Sequence, residues 1–135
     1  MIKQIAFTSV YVLDQDEAKT FYTEKLGFEV RSDVRMEDFR WLTVGPADQP
    51  DISLTLMPIG APALDEEDAR QMRALVSKGA IGAGVLRTDD CQATYKELSA
   101  RGVHFVQEPA ERPYGVEAVL RDNSGNWFSL TEPRG

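Results

Sequence analysis

The 135-residue sequence contains one histidine, His104, and one cysteine, Cys91. Zinc sites built from several imidazoles or thiolates need more donors than that, and a single cysteine closes no disulfide within a chain. No apolar run approaches the roughly 18 residues of a membrane span. The N-terminal MIKQIAFTSVYVLDQDE reaches acidic residues before any stretch long enough for the apolar part of a signal peptide. A cytoplasmic location and no membrane partner are therefore expected. Basic residues are the minority: 15 Lys and Arg against 22 Asp and Glu give a net charge of −7. Such a balance repels phosphate backbones and anionic lipid, so nucleic acid is not an expected partner. It suits a cationic small ligand, although its first reading is the ordinary charge of a soluble protein. What is present, 42% hydrophobic and 27% charged residues with 10 Gly and 7 Pro, is the mixture of a globular domain. A chain of this length can bury a real core without disulfides or metal, and one domain over 1–135 is expected.

Residues 5–13, IAFTSVYVL, are rich in β-branched and aromatic types and read as a strand. Asp14 and Glu17 have capping-box spacing, and Ala18, Phe21, Tyr22 and Leu26 make a helical stripe that Gly27 ends. FEVRSDV, FRWLTVGP and DISLTLMP then read as three strands separated by turns. The first unit, about 1–60, is thus βαβββ. In 61–80, the acids at 65–68 suit the positive end of a helix, and Met72, Leu75 and Val76 are its expected buried face, so this segment reads as a helical linker.

The unit about 81–135 repeats the first: strand IGAGVLRT, helix ATYKELSA, stop at Gly102, and strands VHFVQEP, VEAVLRD and NWFSLTEP. Asp14/Asp89, Glu17/Gln92, Ala18/Ala93 and Gly27/Gly102 all differ by 75. Several matches at one offset mark an internal duplication.

Two βαβββ units with FYTEKLGFEV after the first helix, ELSARGVHFV after the second and RDNSGNWFSL near the end resemble the vicinal oxygen chelate superfamily of glyoxalases, bleomycin-resistance proteins and extradiol dioxygenases. The resemblance implies an α+β fold in which each unit curls its sheet into a half-barrel, paired units forming a cup for the ligand. It also implies a homodimer, since open sheet edges on two half-barrels are commonly covered by a second chain. The family's enzymes usually hold a divalent metal on four inward residues, commonly His and Glu. On this sequence the four positions fall on Phe7, Ser53, Ala83 and Ser129, with 83 − 7 = 76 and 129 − 53 = 76. None is a usual ligand for a divalent cation, and their immediate neighbours are equally unsuitable. No metal and no cofactor are expected, and the reading leans away from an enzyme.

Alternation along the strands assigns Val10, Val12, Ile52, Leu54, Leu56, Phe128 and Leu130 to the helix side of the sheets. The other parity carries Phe7, Ser9, Tyr11, Ser53, Thr55, Met57, Ala83, Val85, Arg87, Trp127, Ser129 and Thr131, joined by Phe39, Trp41, Thr43, Glu117, Val119 and Arg121. Aromatic walls with a few polar groups are the make-up of an organic-ligand pocket. The expected binding residues are Trp41 and Trp127 as stacking rings, Phe7, Tyr11, Phe39 and Tyr114 as walls, Ser53 and Ser129 as hydrogen-bonding groups, and Arg87 and Glu117 as inner charges. Against this stands the plain alternative that such aromatics fill space or seal a dimer.

Other chemistries find less support. No G-x-S-x-G elbow accompanies His104, GAIGAG at 79–84 precedes a strand instead of joining strand to helix, and Cys91 reads as an ordinary helix-start residue. The leading expectation is a metal-free protein that sequesters a small organic molecule in a dimeric, aromatic-lined cup. The alternatives are a lyase, isomerase or dioxygenase-like enzyme of the same fold with an atypical site, and a structural or regulatory dimer whose cups its own side chains fill.

Overall fold

A computed structural model describes residues 1–135. The first unit consists of β1 (Phe7–Val12), α1 (Gln15–Thr20) continued by a π-helical turn (Phe21–Lys25), β2 (Glu29–Met36), β3 (Phe39–Gly45) and β4 (Ser53–Pro58). The linker helix is α2 (Glu66–Ser77). The second unit is β5 (Gly82–Arg87), α3 (Cys91–Ala100), β6 (His104–Arg112), β7 (Gly115–Arg121) and β8 (Trp127–Pro133). Each unit folds into its own four-stranded sheet with the same order, β1-β4-β3-β2 and β5-β8-β7-β6. In both, the outer first strand lies parallel to the last and the other pairs are antiparallel. No helix is long and apolar enough to cross a membrane.

The expected helix-side residues form the core, save that Ile52, just before β4, is only half-buried. Val10, Val12, Leu54, Leu56, Phe128 and Leu130 are buried, and they join Ala18, Phe21 and Tyr22 of the first helix and Cys91 and Leu98 of α3 in one cluster spanning both units. Because the helix sides of both sheets share this core, their opposite faces look outward.

The duplication has a sharper register than a uniform 75. Asp14 caps α1 by accepting from the Glu17 N–H at 2.9 Å, and the equivalent cap of α3 is Asp90, accepting from Ala93 N–H at 3.0 Å. Asp89, the expected cap, is exposed. The cap pair therefore differs by 76, like the strands, while the glycine stops Gly27 and Gly102 differ by 75. The π-helical turn accounts for the discrepancy: Leu26 N–H reaches back five residues to the Phe21 carbonyl at 3.2 Å, so the first helix holds one residue more between cap and stop. The 76-residue relation also appears as a reciprocal contact, in which Arg101 Nη1 donates to the Lys25 carbonyl at 2.8 Å and Lys25 Nζ to the Arg101 carbonyl.

In α2, Asp65 caps the helix and Ala69, Met72 and Val76 turn inward. Leu75 is 36% exposed instead of buried. Positions 69, 72 and 76 follow the i, i+3, i+7 stripe, and Leu75 sits one step off it.

Candidate functional site

The inner face of the first sheet is aromatic. In the β1–β4 register Phe7 lies beside Ser53, Ser9 beside Thr55 and Tyr11 beside Met57, and Thr55 also pairs with Thr43 of β3. Trp41, two residues before Thr43, lies one row further along the same face. Phe7 and Trp41 meet edge to face with ring centroids 5.3 Å apart, and Phe39 stands 6.4 Å from Trp41. Tyr11, Phe39, Trp41 and Ser53 are half-buried and Phe7 is exposed. Five of the expected binding residues thus share one face of the first sheet.

Ser53 has a neighbour that alternation conceals. The β2–β3 register slips between Val30 and Ser32, leaving Arg31 in a bulge. Its guanidinium swings over Gly45, where a Cβ would stand 2.8 Å from Nη2. There it donates to the carbonyls of Pro46 (2.6 Å), Gln49 (3.0 Å), Pro50 and Ile52 (both 3.3 Å), with Ser53 Oγ at 3.5 Å. Arg31 therefore holds the β3–β4 loop together from the edge of this face.

The inner face of the second sheet is polar. Glu117 accepts from Ser129 Oγ at 2.5 Å and from the Tyr114 phenol at 2.8 Å, with Arg112 Nε 3.7 Å away. Ser129 also lies 3.0 Å from Thr131 Oγ1. The Ser129 bond foremost, then that from Tyr114, with Arg112 adding its charge, holds the Glu117 carboxyl below its ordinary range against the cost of burial. Conversely, the Glu117 carboxylate raises the Tyr114 phenol. Arg112, not Arg87 or Arg121, is the cation beside Glu117. Arg87 is exposed and lines a groove with Asp48, Glu97 and Arg101 between the units. The Arg121 guanidinium lies against Gly79 just beyond α2. Trp127 is 39% exposed and rests on Gly82, where a Cβ would come within 2.6 Å of its ring.

One of the four family ligand positions is displaced. The β5–β8 register slips between Gly82 and Gly84, so Val85 is the partner of Ser129, while Ala83 packs against the core. Gly84, at φ +136°, supplies the backbone conformation that this bulge requires. The inner set thus has Val85 where Ala83 was expected. Phe7, Ser53 and Ser129 offer no carboxylate or imidazole, and no three His, Cys, Asp or Glu side chains gather where a metal ion could be held. These residues do not fit the family's divalent cation. His104 is exposed on β6. Cys91 is buried at the start of α3, and burial pushes its thiol above the ordinary range, so it is no poised nucleophile.

The two halves are joined behind these faces by Asp122, in the segment RDNSGNWFSL. Its carboxylate accepts the N–H groups of Ser124, Gly125 and Asn126, each at 2.9 Å, the Asn126 amide at 3.0 Å and the Tyr22 phenol at 2.6 Å. Asn126 Nδ2 donates onward to the Tyr11 carbonyl at 2.8 Å, and Leu13 N–H to Ser124 Oγ at 2.9 Å. Gly125 has φ +122°, and a Cβ there would collide with the Val76 carbonyl. The motif thus ties β1 and the first helix to the second sheet.

Comparisons with known proteins agree with this architecture. The structure of UcmS2 superposes with a TM-score of 0.94 at 53% identity, over 98% of this chain and 99% of that one. TnmS3, an antibiotic binding protein from Streptomyces sp. CB03234, superposes with a TM-score of 0.78 at 33% identity, over 98% of each chain. Among curated sequences, the uncharacterized protein YurT of Bacillus subtilis (strain 168) is 38% identical over 130 residues, covering 96% of this chain and 98% of YurT. The model of the Glyoxalase/Bleomycin resistance protein/Dioxygenase superfamily matches residues 4–130. By sequence and by its paired βαβββ sheets, the chain belongs to the glyoxalase/bleomycin resistance protein/dioxygenase superfamily.

Proposed function

We propose that this chain is a binding protein that sequesters a small organic molecule, without a metal ion, in a cup completed by a second copy of itself. The observation that carries this reading is the aromatic inner face of the first sheet, where Phe7, Phe39 and Trp41 cluster beside Ser53 in a position from which the family's enzymes would present a metal ligand. Likeness to TnmS3, an antibiotic binding protein, supports small-molecule binding as the class of function. The outward direction of the two inner faces supports dimerisation. On the edge strands β1 and β5, Phe7 is 50% and Val85 70% exposed. Pairing the first unit of one protomer with the second of its partner would put the aromatic wall opposite the Glu117 wall. A planar organic cation is complementary to that pair of walls: ring faces attract cations by about 0.5–2 kcal/mol each, and Glu117 supplies a counter-charge.

Tryptophan emission provides the test. Titration with planar organic cations such as proflavine should quench or shift emission saturably, and Trp41→Ala should weaken binding at least tenfold. No change with any of them at millimolar concentration would overturn the reading. Sedimentation at micromolar concentration should give about twice the 15.1 kDa of one chain; a monomer would remove the shared cup.

A further inference from the structure

The middle of the aromatic face contains a feature that packing alone does not require. The rows of the first sheet run Phe7–Ser53, then Ser9–Thr55–Thr43, then Tyr11–Met57. Phe7 is on β1 in the first row, and Trp41 is on β3 in line with the third. Yet their rings are only 5.3 Å apart, edge to face. The line between their positions crosses β4 at Thr55, in the middle row. Thr55 is 2% exposed, and its Oγ1 is buried without a hydrogen-bond partner in the protein. Thr43, beside it in the row, is 1% exposed. A buried hydroxyl without a partner destabilises the fold, and a valine of the same shape would fill the place without that penalty.

We infer that Thr55 Oγ1 is the polar anchor of the ligand site. The Phe7–Trp41 pair covers it in the free protein and parts to admit a planar aromatic molecule whose ring edge carries a hydrogen-bonding substituent. This inference rests on the proposed binding function and assigns its specificity to one hydroxyl. Phe7 is half exposed on an edge strand and is therefore the ring free to move. A site built to bond a ring substituent discriminates strongly against analogues lacking it, because the buried hydroxyl would otherwise stay unpaired.

The test compares two planar cations in wild type and in Thr55→Val, read by the fluorescence anisotropy of the dyes themselves. Proflavine carries ring amino groups; 10-methylacridinium carries none. Thr55→Val should weaken proflavine about tenfold and leave 10-methylacridinium unchanged. Equal affinities of both proteins for proflavine would overturn the anchor while leaving the binding function standing. Failure of wild type to bind either dye would overturn both. A second readout needs no ligand: with its orphan hydroxyl removed, Thr55→Val should melt about 3 °C higher than wild type. A lower melting temperature would mean that the hydroxyl has a partner within the protein, and would sink the inference.

Discussion

Adding 76 to a position in the first unit finds its counterpart in the second, and the core and the inner faces answer that comparison differently. Leu42 becomes Ala118 and Val44 becomes Leu120, so these core positions remain apolar, although the buried Arg40, paired with Asp16 and Asp33, becomes Val116. On the inner side Trp41 becomes Glu117 and Phe39 becomes Gly115. One sheet presents rings and the other presents charges. Burial in the common core favours apolar exchange, whereas the inner faces are under no such constraint.

The loops between the last two strands diverge by charge in the same way. In the first unit the cation of Arg31 gathers the carbonyls of Pro46, Gln49, Pro50 and Ile52; in the second the anion of Asp122 gathers the N–H groups of Ser124, Gly125 and Asn126. The solutions are unequal in strength. Asp122, Ser124 and Asn126 are buried, so their groups have no water to turn to, whereas Asp48 to Asp51 around the Arg31 loop are exposed. Asp122→Ala should therefore destabilise the fold by about 4 kcal/mol in urea denaturation. Arg31→Met should cost about half that, roughly 2 kcal/mol, because water can reach the freed carbonyls. An equal or reversed ranking would break the comparison.

Tyr22 joins the two units through Asp122, and Tyr22→Phe should cost about 1.5 kcal/mol. Burial first, then the Asp122 charge and hydrogen bond, raise the Tyr22 phenol well above its ordinary 10.0. Above about pH 10 the unfolded chain loses that proton while the folded chain keeps it, so stability falls as pH rises. Tyr22→Phe should flatten this alkaline decline; an unchanged slope would detach Tyr22 from it. The smallest expected effect is at the polar inner face. Glu117→Gln removes the carboxylate that raises the exposed Tyr114 phenol, so Tyr114 should ionise at lower pH in a spectrophotometric titration. An unmoved Tyr114 would show the two side chains to be uncoupled in solution.

Much of the fold is legible in the chain. Period-2 alternation and the glycine stops are local signals, and they place the eight strands, three helices and the two faces of each sheet. The departures come from single inserted residues: the first helix absorbs an extra residue as a π turn, so the 75-residue offset of the glycine stops points to Asp89 where Asp90 is the α3 cap. Ala83 leaves the inner face and Arg31 enters it because each lies in a bulge. Alternation cannot register a bulge, since one added residue reverses the parity of every later position in the strand. Thr55 falls on the inner parity, but nothing in SLTLMP marks its hydroxyl as buried without a partner.

The sequence by itself determined the duplicated βαβββ plan, its apolar core and the shortage of metal-binding side chains at the family's ligand positions, because composition and short-range periodicity are properties of neighbouring residues. Only the tertiary structure decided that the helix sides of both units merge into one core and turn the inner faces outward, and that Glu117 takes Arg112 instead of Arg87 as its nearby cation. Those outcomes depend on which strands lie side by side and on where single-residue bulges rotate a side chain, and such relations arise only when distant segments pack.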